Sequence, residues 1–213
     1  MHSSTAGRGG RPTREESARR AEHLIEVAAD MFLERGFDAT TMEAVAEKAG
    51  IGKPTLYARY RDKSELFTAV LRRRIEHYLA PLGRRLTDLE ATDIETALTE
   101  IGRHVLAVST SPGALAVNRI IMAQAERFPE LERLAYEEGW LAGVKAVAGV
   151  LAFYAERRDI GVADPELAAD MFLSLVLGRA SRVRATGRTR TRKAVEHRVR
   201  FAVRLFLDGV RPR

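Results

Sequence analysis

The sequence predicts an all-α fold, and three features of its 213 residues point to it. Apolar residues recur at three- and four-residue spacing through long stretches, which is the period of an α-helix. The seven prolines fall between those stretches, where proline marks helix starts and ends. No Asn-Gly or Asp-Gly pair lies between alternating segments, so nothing favours β-hairpins.

The first predicted helix covers about residues 14–35. Leu24 and Phe32 belong to its apolar stripe, which would face a core. Gly36 is expected to end the helix in a left-handed cap, with Phe37 folded back onto Phe32 as in a Schellman ending.

Two short helices should follow, separated by a glycine turn. Thr40 is expected to be the N-cap of a capping box that opens a helix to about Ala49, and Gly50 then ends that helix. The second short helix covers about residues 53–60. A longer helix is predicted over residues 62–81, and it is expected to end near Pro81 because proline interrupts a helix.

The remaining chain is also predicted to be helical. We expect helices near residues 93–109, 113–127, 129–158, 165–184 and 191–209. In the third of these, a bend is expected at Gly139, Gly143 or Gly149, because glycine weakens a helix by up to about 1 kcal/mol relative to alanine.

Composition excludes several classes of protein. Apolar residues make up 46% of the chain, enough for a sizeable core, but no run approaches the ~20 apolar residues of a membrane span. The first residues lack the apolar block of a secretory signal, so a cytoplasmic protein is expected. The absence of cysteine excludes disulfides and thiolate metal sites, and we expect no metal and no cofactor.

The chain has a net charge of +6, and basic residues outnumber acidic ones most clearly in three blocks, residues 1–14, 48–63 and 179–193. A charge run is commonly a solvated face, and the sequence assigns no role to the third block, Arg179–Lys193. The second block contains a helix whose polar side chains surround the apolar Leu56. Lysine, arginine and threonine on such a helix suit the major groove of DNA.

The spacing of the two short helices is that of a helix-turn-helix. Val45, Ala46 and Ala49 would face the partner helix, and Gly50 would make the turn. On spacing alone, an ordinary helical hairpin remains an alternative.

The run FLERGFDATTMEAVAEKAGIGKPTLYARYRDKSELF resembles the amino-terminal DNA-binding domain of the TetR family of bacterial transcriptional regulators. The pieces Gly36-Phe37, Thr40-Thr41, Ala49-Gly50-Ile51, Thr55-Leu56-Tyr57 and Lys63 stand in the family's order, over about residues 14–70. The resemblance implies that Thr41, Tyr57 and Lys63 hold phosphates, with Thr40 beside them, and that Lys53, Pro54, Thr55 and Arg59 face bases. Arg11 resembles part of a basic arm that could enter the minor groove, the alternative being a flexible solubilising tail.

The rest of the chain resembles the family's effector-binding and dimerisation domain. The segment AQAERFPEL, residues 123–131, is similar to one in an AefR-like subgroup. We therefore expect an arm over 1–13, a three-helix helix-turn-helix domain over 14–63, and a larger helical domain over 64–213. Polar and aromatic residues on apolar helical faces are candidates for a ligand pocket: Tyr78, His104, Asn118, Met122, Gln124, Tyr136, Trp140 and Tyr154.

The last two helices are the predicted dimer interface, in a four-helix bundle with their symmetry mates. Its candidate residues are Leu167, Met171, Leu175, Val176, Val195, Val199, Val203 and Phe206.

The function expected from this resemblance is a homodimeric repressor that binds a pseudo-palindromic operator in double-stranded DNA and responds to a small hydrophobic or aromatic effector. Effector binding would shift the 62–81 helix and so change the separation of the two recognition helices. The alternative is a constitutive DNA-binding dimer without an effector. No Gly-x-Ser-x-Gly or His-Glu-x-x-His motif is present, and Pro54 stands where a Walker sequence needs serine or threonine, so an enzyme is not expected. Neither is a membrane partner.

Overall fold

The computed structural model describes residues 13–85, 92–184 and 192–210, and within those ranges it forms helices and no strand. The predicted all-α class is therefore confirmed. The α-helices are α1 Arg14–Arg35, α2 Met42–Lys48, α3 Lys53–Arg59, α4 Lys63–Arg85, α5 Ile94–Ser109, α6 Pro112–Gln124, α7 Pro129–Leu134, α8 Ala142–Glu156, α9 Pro165–Arg184 and α10 Arg192–Val210. A π-helical segment, Ala135–Leu141, joins α7 to α8.

Helix α4 continues through Pro81, so the predicted end of this helix was wrong. Proline in a helix interior removes one backbone donor, here the one that would bond the carbonyl of His77. The next residue, Leu82, is buried in the core. Its burial gives a reason for the helix to continue past the lost hydrogen bond.

The predicted helix over 129–158 is a helix of three parts. Its middle part is the π-helical segment Ala135–Leu141, which contains Gly139, one of the three positions where a bend was predicted. Such a segment widens the helix locally, and π-helical turns are frequent at functional sites. The predicted helix over 113–127 ends three residues early, because the amides of Arg127 and Phe128 both bond the Gln124 carbonyl in a turn.

The chain divides into two compact units, one ending at Val70 and the other beginning at Leu71. In the first, three phenylalanine rings form the centre of the core. Phe32 stacks on Phe37 at 5.8 Å between centroids, and Phe67 meets both edge-on at 5.1 and 5.7 Å. The predicted contact of Phe37 with Phe32 is confirmed. Gly36 has φ +84° and ψ 174°. The positive φ favours glycine at this position, but the ψ value is not that of the left-handed helical cap that was predicted.

In the second unit, α8 packs along α9, and α10 packs against α5. The helices approach closely at Gly102, where a Cβ would lie 3.0 Å from Val199.

Four predicted interface residues belong to this core. Val176, Val199, Val203 and Phe206 are buried within the chain itself, and Val195 is half-buried against the same cluster. Assigning these side chains to a contact with a second copy was therefore wrong for the four that are buried, because they already contact their own chain.

Within the described ranges, no single helix has the length and apolar content to cross a membrane; the consecutive pair α5 and α6, bent by 60° at their junction, reaches both only when taken together.

Candidate functional site

Helices α2 and α3 form a helix-turn-helix. Gly50 turns the chain with φ +65°, a conformation that side chains with a Cβ rarely adopt. Its amide bonds the Glu47 carbonyl, and the next amide, of Ile51, bonds the Ala46 carbonyl at 3.0 Å. Ala46 and Leu56 are buried, at 1% and 0% exposure, which brings the two helices close together.

Every residue of α3 except Leu56 is exposed. Lys53 and Arg59 give this helix two cations, and it carries no carboxylate. This exposed surface includes all the base-facing residues that were predicted, which are Lys53, Pro54, Thr55 and Arg59. It also includes Tyr57, a predicted phosphate contact. One buried leucine therefore anchors a helix whose other side chains are free to meet a polyanion.

Thr40 is not the N-cap that the sequence predicted. The N-cap of α2 is Thr41, whose hydroxyl oxygen accepts a 3.2 Å bond from the Ala44 amide. Thr40 is fully buried, and its hydroxyl donates to the Gly36 carbonyl at 2.8 Å, with the Met31 carbonyl 3.2 Å away. The predicted capping box from Thr40 was wrong, and burial removes this side chain from contact with DNA.

Tyr57 is tied to α2 through its hydroxyl, which donates to the Glu43 carboxylate at 3.1 Å. This hydrogen bond raises the pKa of Tyr57 above its ordinary value. Hydrogen bonds from the backbone and then from Tyr57 lower the pKa of Glu43. At neutral pH, the exposed surface therefore presents a phenol beside a charged carboxylate.

Lys63 opens α4 and is half-buried. Its ammonium donates to the Asp38 carbonyl at 3.2 Å and lies 4.6 Å from the centre of the Phe37 ring. These contacts hold the Lys63 side chain against Phe37 and Asp38 of the same unit. Its phosphate contact stays a prediction.

An open cleft of about 520 Å³ separates α1 from the turn and α3. Its wall includes Ser17 and Arg20 of α1 together with Thr55 and Arg59 of α3. Ser17 and Arg20 were not among the predicted site residues. Their three-residue spacing on an exposed helical face, with a donor at each position, was the available signal. Arg11, the predicted arm residue, lies outside the described residues.

The second unit contains a cavity of about 290 Å³ with an almost wholly apolar wall. Three predicted ligand contacts line it, namely Tyr78, His104 and Trp140. The described residues of its wall are Ile75, Tyr78, Leu79 and Leu82 of α4, His104, Val105, Val108 and Ser109 of α5, Ala135, Gly139 and Trp140 of the π-helical segment, Gly143 of α8, and Leu173 and Leu177 of α9.

The other five candidates lie elsewhere. Asn118, Met122 and Tyr136 are exposed and do not line the cavity. Gln124 is buried outside its wall. Tyr154 is buried, and its hydroxyl donates to the Thr92 carbonyl at 2.6 Å. The prediction that these five residues line a ligand pocket was therefore wrong for this cavity.

Two ring nitrogens at the cavity wall have internal partners. His104 Nε2 lies 2.9 Å from the Tyr78 carbonyl, and since a carbonyl only accepts, Nε2 carries the hydrogen. Trp140 donates from Nε1 to the Asp170 carboxylate at 2.9 Å. These bonds fix both rings at the wall.

An apolar face remains exposed on α9 and α10. Leu167, Met171 and Leu175 follow one another at four-residue spacing on α9, and Phe201 and Leu205 do so on α10. Phe201 is 61% exposed. The first three were predicted interface residues, whereas Phe201 and Leu205 were missed. The predicted basic stretch Arg179–Lys193 lies for the most part outside the described side chains.

The chain matches the sequence models of two protein families. Residues 24–70 match "Bacterial regulatory proteins, tetR family", and residues 96–209 match "AefR-like transcriptional repressor, C-terminal domain". Among curated proteins, the transcriptional activator FasR of Mycolicibacterium smegmatis is 38% identical over 79 residues, and the repressor KstR2 of the same organism is 38% identical over 60 residues. The alignments cover 37% and 28% of this chain and 35% and 29% of those relatives, so the chain spans about a third of the curated relatives it matches.

Solved structures match over nearly the whole chain. A TetR-family regulator from Mesorhizobium loti is 30% identical, with a TM-score of 0.87 over 94% of this chain and 100% of that chain. The flavonoid-responsive regulator FrrA is 33% identical, with a TM-score of 0.77 over 92% and 99% of the two chains. These relatives are regulators, and FasR is a transcriptional activator.

Proposed function

We propose that this chain, which belongs to the TetR family of bacterial transcriptional regulators, is a homodimeric, ligand-responsive repressor that binds a pseudo-palindromic operator through α3. As a DNA-binding regulator, it would act in the cytoplasm. The observation that carries the proposal is the surface of α3, which exposes two cations, Tyr57 and Thr55 around a single buried leucine.

In this proposal, Lys53 and Arg59 read base edges, with Pro54 and Thr55 beside them. Arginine and lysine pair with guanine O6 and N7, while threonine meets a thymine methyl. Thr41 and Tyr57 hold phosphates. The Thr41 oxygen caps α2 as an acceptor, which leaves its hydroxyl hydrogen for a phosphate oxygen.

DNA binding is tested with duplexes selected from a random pool by the purified protein. Lys53→Ala and Arg59→Ala should each lose about 1–3 kcal/mol on the selected duplex and relax the preference at one position. Lys145→Ala, which removes the same charge from an exposed position of α8, is the matched control. Equal losses on selected and random DNA would contradict base reading by these two residues.

The second copy would dock on the exposed apolar face of α9 and α10, so that two α3 helices enter major grooves about 34–36 Å apart. An exposed apolar stripe of this kind marks an interaction surface. Met171→Glu should convert a dimer to a monomer in sedimentation velocity. Met122→Glu, at an equally apolar exposed position on α6, should leave the dimer intact, and a dimer in both variants would contradict the proposed face.

The effector would occupy the cavity and act through α4, which supplies part of its wall. The similarity to FrrA, a flavonoid-responsive regulator, supports an organic effector for this chain. A ligand must bind the DNA-competent and DNA-free states with different affinities, and a coupling of about 1–3 kcal/mol is typical.

Effector binding is tested through Trp140, the single tryptophan of the chain, because it lies in the cavity wall. A panel of apolar organic compounds is screened for a change in its fluorescence and for release of the selected duplex. A compound that produces both results supports the proposal. Full DNA affinity with no response to any compound would favour the constitutive dimer.

A further inference from the structure

Arg74 on α4 is half-buried without a balancing carboxylate among the described residues. Its Nη2 donates to the Tyr78 hydroxyl at 2.9 Å, while its buried Nε has no hydrogen-bond partner. No ion pair of the described residues includes it. A buried polar group costs free energy when its bonding capacity is unused, and a buried cation costs more.

The position of this guanidinium depends on Gly113 of α6. A Cβ at residue 113 would lie 2.2 Å from Arg74 Nη2 and 3.7 Å from the Tyr78 hydroxyl. The guanidinium therefore occupies space that any other residue at 113 would fill. The guanidinium also lies over the Tyr78 ring, with Cζ 5.6 Å from its centre.

Tyr78 connects this cation to the cavity, because it lines the wall. Its hydroxyl oxygen accepts from Arg74, so its own hydrogen stays available to donate. A carboxylate that accepted this hydrogen bond would be linked to the guanidinium through two consecutive hydrogen bonds, with the Tyr78 hydroxyl between them. Among the described residues, none that lines the cavity is an Asp or Glu that would repel such a group.

We infer that the effector is a small amphipathic carboxylic acid, whose apolar body fills the cavity and whose carboxylate accepts the Tyr78 hydrogen. Arg74 does not line the cavity, and it acts on the carboxylate through the Tyr78 hydroxyl to which it donates. This inference rests on the proposed effector function and names the chemical class of the ligand. An apolar wall favours the body of the molecule, and the Arg74 cation, which lies behind the Tyr78 hydroxyl, attracts a negative charge that accepts the Tyr78 hydrogen. At about 290 Å³, the cavity is at the small end of ligand sites.

The experiment compares acids with alcohols of the same shape: 2-naphthoic acid with 2-naphthalenemethanol, and octanoic acid with 1-octanol. Binding is measured by calorimetry and by Trp140 fluorescence. We expect at least one acid to bind about tenfold more tightly than its alcohol, and Arg74→Gln to remove that difference while leaving the alcohol's affinity unchanged. Arg73→Gln, on the exposed side of the same helix, is the matched control and should behave as the unmodified protein.

Gly113→Ala is a second variant, which displaces the guanidinium without removing its charge. It should also weaken the acid and spare the alcohol, so the inference stays testable if Arg74→Gln does not fold. Acid and alcohol of equal affinity, no binding of either acid, or equal weakening of both by the variants would overturn the inference.

Release of the selected duplex is measured separately. An acid that binds through Arg74 but leaves DNA bound supports the anion site and contradicts its effector role. A neutral compound that releases DNA, with no acid bound, supports the effector role and overturns the charge assignment.

Discussion

The hydroxyl of Tyr57 on α3 donates a 3.1 Å hydrogen bond to the carboxylate of Glu43 on α2. This bond orients an exposed aromatic side chain at the proposed DNA surface, but it also places a negative charge where a phosphate is expected. Since the raised pKa of Tyr57 keeps its phenol protonated at neutral pH, the hydroxyl remains a donor. Glu43 is therefore expected to restrain affinity for DNA.

Glu43→Gln should tighten binding to the selected duplex and to random DNA alike. The change removes one like charge near the phosphates, for which an effect of about two- to fivefold at low salt is reasonable, falling as salt increases. Fluorescence anisotropy across a salt series measures it. Glu47→Gln, at another exposed position of α2, should have a smaller effect, and an equal gain from both would show that only net charge matters.

Thr40→Val and Thr41→Val should separate stability from DNA binding. The first removes a buried hydroxyl that bonds the Gly36 carbonyl and should cost about 1–3 kcal/mol of unfolding free energy, with DNA affinity of the folded protein preserved. The second removes the N-cap of α2, which costs about 1 kcal/mol, and also a phosphate donor. Urea unfolding and DNA titration check both, and unchanged DNA affinity in Thr41→Val would remove this residue from the interface.

Gly102→Ala should destabilise the second unit although alanine favours a helix. The helix preference is worth about 1 kcal/mol, but the added Cβ would lie 3.0 Å from Val199, with Val176 and Phe172 at 3.6 and 3.8 Å. Val199 is buried and β-branched, so it has little freedom to move. Overpacking of this kind typically costs about 1–3 kcal/mol.

The measurement is urea unfolding followed by circular dichroism. Gly209→Ala is the control, since nothing lies within 4 Å of a Cβ at that position of α10. It should be neutral or slightly stabilising, and a stabilised Gly102→Ala would show that α5 and α10 separate easily.

The helix-turn-helix could be predicted from sequence because its determinants are local. Gly50 needs its positive φ, and Leu56 stands alone as an apolar residue in a polar helix. The choice between Thr40 and Thr41 as N-cap could not be made, because both are good caps and only the fold shows which one is buried.

The faces of α9 and α10 could not be assigned because apolar residues occur on more than one side of each helix. Val199 and Val203 are buried, whereas Phe201 and Leu205, two residues further along, are exposed. Helical spacing groups residues into faces, but it does not say which apolar face meets the chain's own core. Tyr78, His104 and Trp140 of the cavity wall were predicted. Other wall residues were missed for a related reason, since the π-helical segment changes which residues share a face.

Glu196 on α10 joins α10 to α5 by an ion pair with Arg103, at 2.8 Å from Nε, and its Oε1 is also 2.8 Å from Arg200 Nε. The hydrogen bond from Arg103, with a smaller contribution from Arg200 and from the charges of both guanidinium groups, lowers the pKa of Glu196 from 4.5 to about 2. A carboxyl with a lowered pKa contributes stability above its unfolded pKa, and that contribution is lost as pH falls toward the folded value. Melting temperatures of the unmodified protein and of Glu196→Gln should therefore differ above about pH 4.5 and converge near pH 2.

The difference in melting temperature should also shrink in high salt, because the ion pair is at the surface. Glu156→Gln, at an exposed position of α8, is the control, and an equally pH-dependent difference in that variant would show that the Arg103 pair has no special part in the acid response.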